Sequence, residues 1–166
     1  MDTTDTLAEL ADVGRGMLTA GAPLLLLCAL LLVAVHLVER RRTTPRQDAP
    51  LGNVLAALAG AVTGVVLWLV WFTLGLPGDL EVLMYVGAAA SSFGALVWLS
   101  WRTRWRWTGP FSVALAGLTG FSTAMAVASG TDDVSGLWVV GYLVTTVLGV
   151  CFLAVVTLGV VVVREN

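Results

Sequence analysis

Five long apolar stretches without a single Asp, Glu, Lys or Arg constrain this chain more than any other feature. They cover residues 17–38, 51–75, 82–101, 111–129 and 137–163, and each holds 19 to 27 residues. A helix needs about 20 residues to cross about 30 Å of hydrocarbon. Lipid offers no partner to an exposed backbone amide, so segments of this length satisfy their own hydrogen bonds by coiling into helices. The expected fold is therefore all-α: a polytopic integral membrane protein with five transmembrane helices. The longest polar connection, residues 39–50, is too short to fold as a domain by itself. We divide the chain into a short outer-face amphipathic segment, residues 1–16, and a single five-helix domain, residues 17–166.

Charge sorts by sign between the two ends of these spans. Arg40, Arg41, Arg42, Arg46, Arg102, Arg104, Arg106 and Arg164 fall on one side with Glu39, Asp48 and Glu165. Arg15 falls on the other side with Asp2, Asp5, Glu9, Asp12, Asp79, Glu81, Asp132 and Asp133. The sums are 8 − 3 = +5 and 1 − 8 = −7, which together give the net charge of −2. Basic residues mark cytoplasmic connections, so the N-terminus is expected outside and the C-terminus inside. A cleaved signal peptide would begin with a basic region, and this chain begins acidic. The nine basic residues are all arginine. That usage points to a GC-rich genome, and the expected location is a prokaryotic plasma membrane. Aromatic residues repeat the pattern: Trp68, Trp71, Tyr85, Trp138 and Tyr142 lie near outer ends, and Trp98, Trp101, Trp105 and Trp107 at the inner boundary.

In the N-terminal segment, Thr6 followed by Glu9 fits a capping box, and Leu7, Leu10 and Met17 recur at near-helical spacing. This describes a helix lying on the outer face, broken from the first span at Gly14 and Gly16. Internal similarity follows. Residues 50–64 and 110–124 share six of fifteen positions, and the following spans align at an offset of 54, with Ser91 and Ser92 falling on Thr145 and Thr146. One reading is a leading span plus two copies of a two-span hairpin in parallel, a 2+2 repeat; the other is shared Gly/Ala-rich composition. Small residues recur every fourth position at Gly52, Ala56, Gly60 and Gly64, and again at Ser112, Ala116, Gly120 and Ala124. Such stripes let helix backbones approach closely in lipid. The first span is rich in leucine instead, which places it at the periphery of a bundle formed by the other four.

Chemistry-bearing residues are few. The uncharged spans argue against ion-coupled transport. His36 is the single histidine, expected to reach toward the headgroups, and Cys28 and Cys151 have no CxxC partner. No catalytic residue, cofactor site or metal site is assigned. Ser91, Ser92, Thr119, Ser122 and Thr123 lie at similar depth and form a candidate polar pocket, although such hydroxyls more often bond back to their own helices. Arg102, Arg104 and Arg106, alternating with Trp105 and Trp107, form a candidate strip for anionic lipid headgroups. Its plainer account is inner-face charge and an aromatic belt in one short loop. The function expected is that of a non-enzymatic accessory or structural membrane protein acting through helix packing. The alternative is a small transporter or channel-like protein with a hydroxyl-lined path. Expected partners are membrane lipids and further copies of the chain or a larger membrane complex, with no nucleic acid.

Overall fold

The computed structural model describes residues 11–17, 21–73, 81–130 and 137–165. The capping box at Thr6 and Glu9, the side chain of Trp138, and Asp2, Asp5, Asp79, Asp132 and Asp133 lie outside the described residues. Helical residues 11–17 form α1. They are followed by α2 (Ala22–Arg42), α3 (Asn53–Trp68) with a π-helical turn (Leu69–Thr73), α4 (Glu81–Trp101), α5 (Thr108–Gly130) and α6 (Leu137–Glu165). Among the described residues there is no strand, only one isolated parallel bridge between Leu51 and Thr103. Five of the helices are long and apolar enough to cross a membrane: Ala22–Arg42, Asn53–Thr73, Val82–Trp101, Thr108–Ala128 and Val139–Val163. Gly14 and Gly16 lie inside α1 and do not interrupt it.

Helix α5 is central and touches α2, α3, α4 and α6. Its closest neighbour is α3: Gly60 and Gly64 of the α3 stripe lie against Val113, Gly117 and Phe121, one residue round from the expected α5 stripe, of which Gly120 meets Ala61. A Cβ built on Gly60 would lie 2.5 Å from the carbonyl oxygen of Val113. One on Gly64 would collide with the carbonyl of Gly117, and one on Gly120 with that of Ala61. From Gly60 on Val113 to Gly64 on Gly117 the contact advances by one turn along both helices, so α3 and α5 run parallel. In lipid, dispersion contact between backbones replaces the hydrophobic effect as the driving force, and only residues without side chains allow so close an approach. Ala56, Leu96, Leu99, Val113 and Ala114 form the core beside this seam, with Leu51, Ala59, Leu153 and Val156 packed against it.

Helix α2 stands at the edge: only 6% of its spanning window is buried, against 39% for that of α5. Leu26, Leu27, Leu30 and Leu37 face outward, and the side chain it buries is Glu39. At the acidic end, Val13 of α1 packs with Ala126 and Tyr142, and Met17 leans on this cluster. Helix α1 is thus seated on the bundle through one buried side chain. Tyr142 departs from its expected place in the headgroup belt: it is 2% exposed, held between α1 and the start of α2, where Gly21 leaves room for its ring.

The α3–α5 seam gives a direct stability prediction. Gly64→Leu should lower stability in detergent by about 1–3 kcal/mol or more, because backbone lies where the side chain would go. Gly94→Ala, whose added Cβ meets nothing within 4 Å, should change it by less than about 0.5 kcal/mol. Thermal unfolding followed by circular dichroism compares the two, and equal stabilities would remove the seam from its central role.

Candidate functional site

Two features at the interior bear on function: a polar cluster at the arginine-rich end and an apolar cleft running along α4. The cluster begins with a local deficiency. Helix α5 starts after Trp105-Arg106-Trp107, and its first N–H groups have no partner within the helix. Trp107 carries no side-chain acceptor for them. The acceptor comes from α2, 68 residues earlier: Glu39 Oε1 receives the Trp107 N–H at 2.8 Å. Glu39 Oε2 receives the Thr108 N–H at 3.0 Å and the Thr108 hydroxyl at 2.6 Å. A carboxylate at a helix N-terminus also meets the positive end of the helix dipole. Pro110 fits the same turn because it has no N–H to satisfy.

Around this cap lie His36, one turn earlier on α2, and Asn53, the first residue of α3. Asn53 Nδ2 sits 3.0 Å from Thr108 Oγ1 and 3.0 Å from His36 Nδ1. His36 Nδ1 is 3.1 Å from Thr108 Oγ1, so three side chains from three helices close a triangle of polar atoms. The Trp105 ring stands edge-on to the imidazole, with centroids 4.8 Å apart. His36 therefore turns into the bundle and away from the headgroups, because hydrogen-bonding groups from α3 and α5 await it there. Glu39, counted in the sequence as a loop charge, lies within α2 and is 6% exposed. The helix continues past the apolar stretch because the carboxylate finds three donors. A possible signal in the sequence is a His and a Glu three residues apart at the end of a span, facing a later span whose start lacks a capping residue.

The two loops at this end are bonded to one another. Leu51 N–H donates to Arg102 O at 3.1 Å, Arg104 N–H to Leu51 O at 2.8 Å, and Arg46 N–H to Arg104 O at 3.0 Å. Arg104 Nε donates to Ala49 O at 2.8 Å, and the Arg102 guanidinium lies 4.1 Å over the Trp98 ring. Arg102, Arg104 and Arg106 do not lie on one face with Trp105 and Trp107 on another. Trp105 is half-buried against His36, whereas Trp107 is exposed alongside the three arginines.

The candidate polar pocket disperses. Ser91 Oγ donates to Gly87 O at 2.7 Å and accepts from Trp71 Nε1 at 2.9 Å. Ser92 donates to Ala88 O, Thr119 to Leu115 O and Ser122 to Leu118 O, each at 2.6 to 2.8 Å. Thr123 is half-buried on α5. Trp71 thus serves packing between the π turn and α4, with Gly87 making room for its ring, and it does not belong to the outer aromatic belt. Of the five hydroxyl residues, Ser92 alone lines the cleft of about 310 Å³ enclosed by α3, α4, α5 and α6. Thr63 and Thr145 reach it instead, among a wall that is otherwise chiefly Gly, Ala, Leu and Phe. At the acidic end Phe72 closes the cleft, in contact with Tyr85 and Phe121 at centroid distances of 5.7 and 5.8 Å. A second apolar cleft of about 270 Å³ separates α2 from α5 and α6 and includes Cys28. Water needs two to four polar partners to settle in a cavity, and these walls favour hydrocarbon.

The chain matches no protein-family model, no curated protein and no solved structure. Its functional reading therefore rests on the geometry of the polar cluster and the clefts.

The Glu39 cap carries a measurable expectation. Glu39→Ala strips three donors of their acceptor and should lower stability by about 2–3 kcal/mol, whereas Glu39→Gln, which keeps one oxygen, should lose less. Denaturation in detergent, followed by the fluorescence of the seven tryptophans, reads this difference. Wild-type stability for Glu39→Ala would mean the cap contributes nothing.

Proposed function

We propose that this chain is a non-enzymatic subunit of the cell membrane that acts through helix packing, with further copies of itself or with a larger membrane complex. The observation that carries this reading is the state of α2. It is anchored to α5 at one end by a polar hook, Glu39 on the start of α5. Along the rest of its length it keeps an uncovered face, with Leu26, Leu27, Leu30 and Leu37 each more than half exposed. Anchoring by hydrogen bonds holds the helix in place without consuming the surface that packing would use. The polar groups of the spans support a non-enzymatic role as well. Glu39 caps a helix, and Ser91, Ser92, Thr119 and Ser122 bond to their own helices. None of these four hydroxyls stands beside a base that would activate it; the Thr108 hydroxyl does meet Glu39 and His36, where it serves the cap of α5.

The second reading, a small transporter or channel-like protein, draws on the cleft between α3, α4, α5 and α6. Its apolar wall suits a hydrophobic cargo and offers an ion no replacement for its hydration shell. In both readings the arginine-rich end faces the cytoplasm and the N-terminus lies outside, following the bias of basic residues toward cytoplasmic loops. The parallel contact between α3 and α5, the helices that open the two hairpins, supports the 2+2 repeat.

Purification in a gentle detergent, with mass analysis of the intact particle, tests the proposal. A defined complex with a second protein, or a discrete homo-oligomer, is the expected result. A monomer that moves a hydrophobic cargo across vesicles would favour the second reading. Orientation is checked with single cysteines in a Cys28→Ser, Cys151→Ser background. A cysteine replacing Thr3 should react with an impermeant maleimide on intact cells, and one replacing Thr44 should react only after lysis.

A further inference from the structure

The two arginine groups that the sequence separates by some sixty residues form one surface, and we infer that this surface is a binding site for anionic phospholipid headgroups. The bonded loops supply the geometry. Leu51 pairs in parallel with Thr103, and the Arg46 N–H reaches the Arg104 carbonyl at 3.0 Å. This ladder brings the loop carrying Arg46, and the last turn of α2 with Arg40, Arg41 and Arg42, beside the loop carrying Arg102 and Arg104.

All six of these arginines are exposed, and among the described residues none of them forms an ion pair. Of the two acids in these segments, Glu39 is removed from the surface by its role as the cap of α5, which leaves Asp48 as the one exposed acid among the six arginines. The positive charge is therefore concentrated where the local sequence would have diluted it. Two of the side chains are also held in place. Arg104 is tied through Nε to Ala49 O, which leaves its terminal nitrogens to donate, and Arg102 rests on the Trp98 ring. Planar guanidinium forks suit phosphate oxygens, and a fixed fork loses less freedom on binding.

Depth and surroundings select lipid as the occupant. The ladder lies between the ends of α2 and α4 and the starts of α3 and α5, all of them helices that span the membrane, so the surface sits at headgroup level. Trp98, Trp101 and Trp107 border it with 54%, 51% and 37% of their surface exposed. Rings with an apolar body and a polar tip favour that level. This inference rests on the membrane-spanning reading and is independent of the accessory role, because it is read on the purified chain without any partner.

The test uses the full chain exchanged into mixed micelles of detergent with equal phosphatidylglycerol and phosphatidylcholine, and counts the phospholipids retained by mass spectrometry. Wild type should retain phosphatidylglycerol in preference to phosphatidylcholine. Arg46→Gln with Arg102→Gln, both at exposed positions, should weaken phosphatidylglycerol binding about thirtyfold, the equivalent of two contacts of about 1 kcal/mol each. Leu51→Pro keeps every arginine but removes the N–H that bonds Arg102 O, and its preference should fall to the level of the double arginine variant. Equal retention of the two lipids by wild type would overturn the inference. So would a well-folded Leu51→Pro protein with the wild-type preference, since the arginines would then act singly. If Leu51→Pro does not fold, the double arginine variant decides by itself: unchanged phosphatidylglycerol binding overturns the site.

Discussion

Helix α5 has to begin its hydrogen bonding at the edge of the hydrocarbon, and its own sequence provides no cap. The Glu39 carboxylate meets that need from α2, and much of the arginine-rich end follows from it. Because both oxygens are committed to Trp107 and Thr108, the end of α2 is fixed against the start of α5. His36 and Asn53 then close around the same Thr108 hydroxyl. The start of α3 is drawn in through Asn53, and α3 lies on α5 along the glycine seam. A membrane protein cannot leave such donors to water within the bilayer, so the cap is a condition for α5 to occupy the centre of the bundle.

The two ways of holding helices together in this protein differ in kind. Between α3 and α5 the contact is backbone on backbone, with Gly60, Gly64 and Gly120 leaving no room for a side chain. Between α2 and the bundle it is chiefly a polar hook at one end, with an apolar cleft above it. The first arrangement makes a rigid pair, and the second leaves a leucine-rich helix largely uncovered. Helix α4 is intermediate: it stands off far enough to leave a cleft beside α5 and α6, and at its acidic end Trp71, Ser91 and the Phe72 cluster bring it back to α3. An apolar interior of this kind is suited to contact with hydrocarbon chains.

Much of the architecture was legible in the chain because the signals are local. An uncharged run of about 20 residues states its own length and environment. Gly60 and Gly64 at every fourth position of α3 mark the face that approaches a neighbour, whereas on α5 the facing residues, Val113 and Gly117, lie one position round from the expected stripe. The polar cluster was not legible to the same degree. Glu39 reads as one more charge after a span, since nothing within ten residues of it names Trp107 and Thr108 as its donors. His36 looks like a residue reaching for headgroups until α3 and α5 are seen to offer it hydrogen-bonding partners. Ser91 and Ser92 share a depth with Ser122 and Thr123, but depth does not specify azimuth, and of these only Ser92 faces the cleft. Trp71 and Tyr142 were placed by depth as well, and both turn inward because a glycine on a neighbouring segment, Gly87 or Gly21, makes room for the ring.

By itself the sequence determined five apolar helices, their lengths, the sorting of charge between the two ends, and the small-residue faces available for close packing. Each of these follows from the solvent, since hydrocarbon admits only self-satisfied backbones and rejects unpaired charge. Only the tertiary structure decided which faces met, which helix stood at the centre, and where the few polar side chains found their partners. Many of those outcomes depend on contacts far apart in the chain, such as Gly60 with Val113 and Thr108 with Glu39, and a local pattern of residues carries no information about the far end of such a contact.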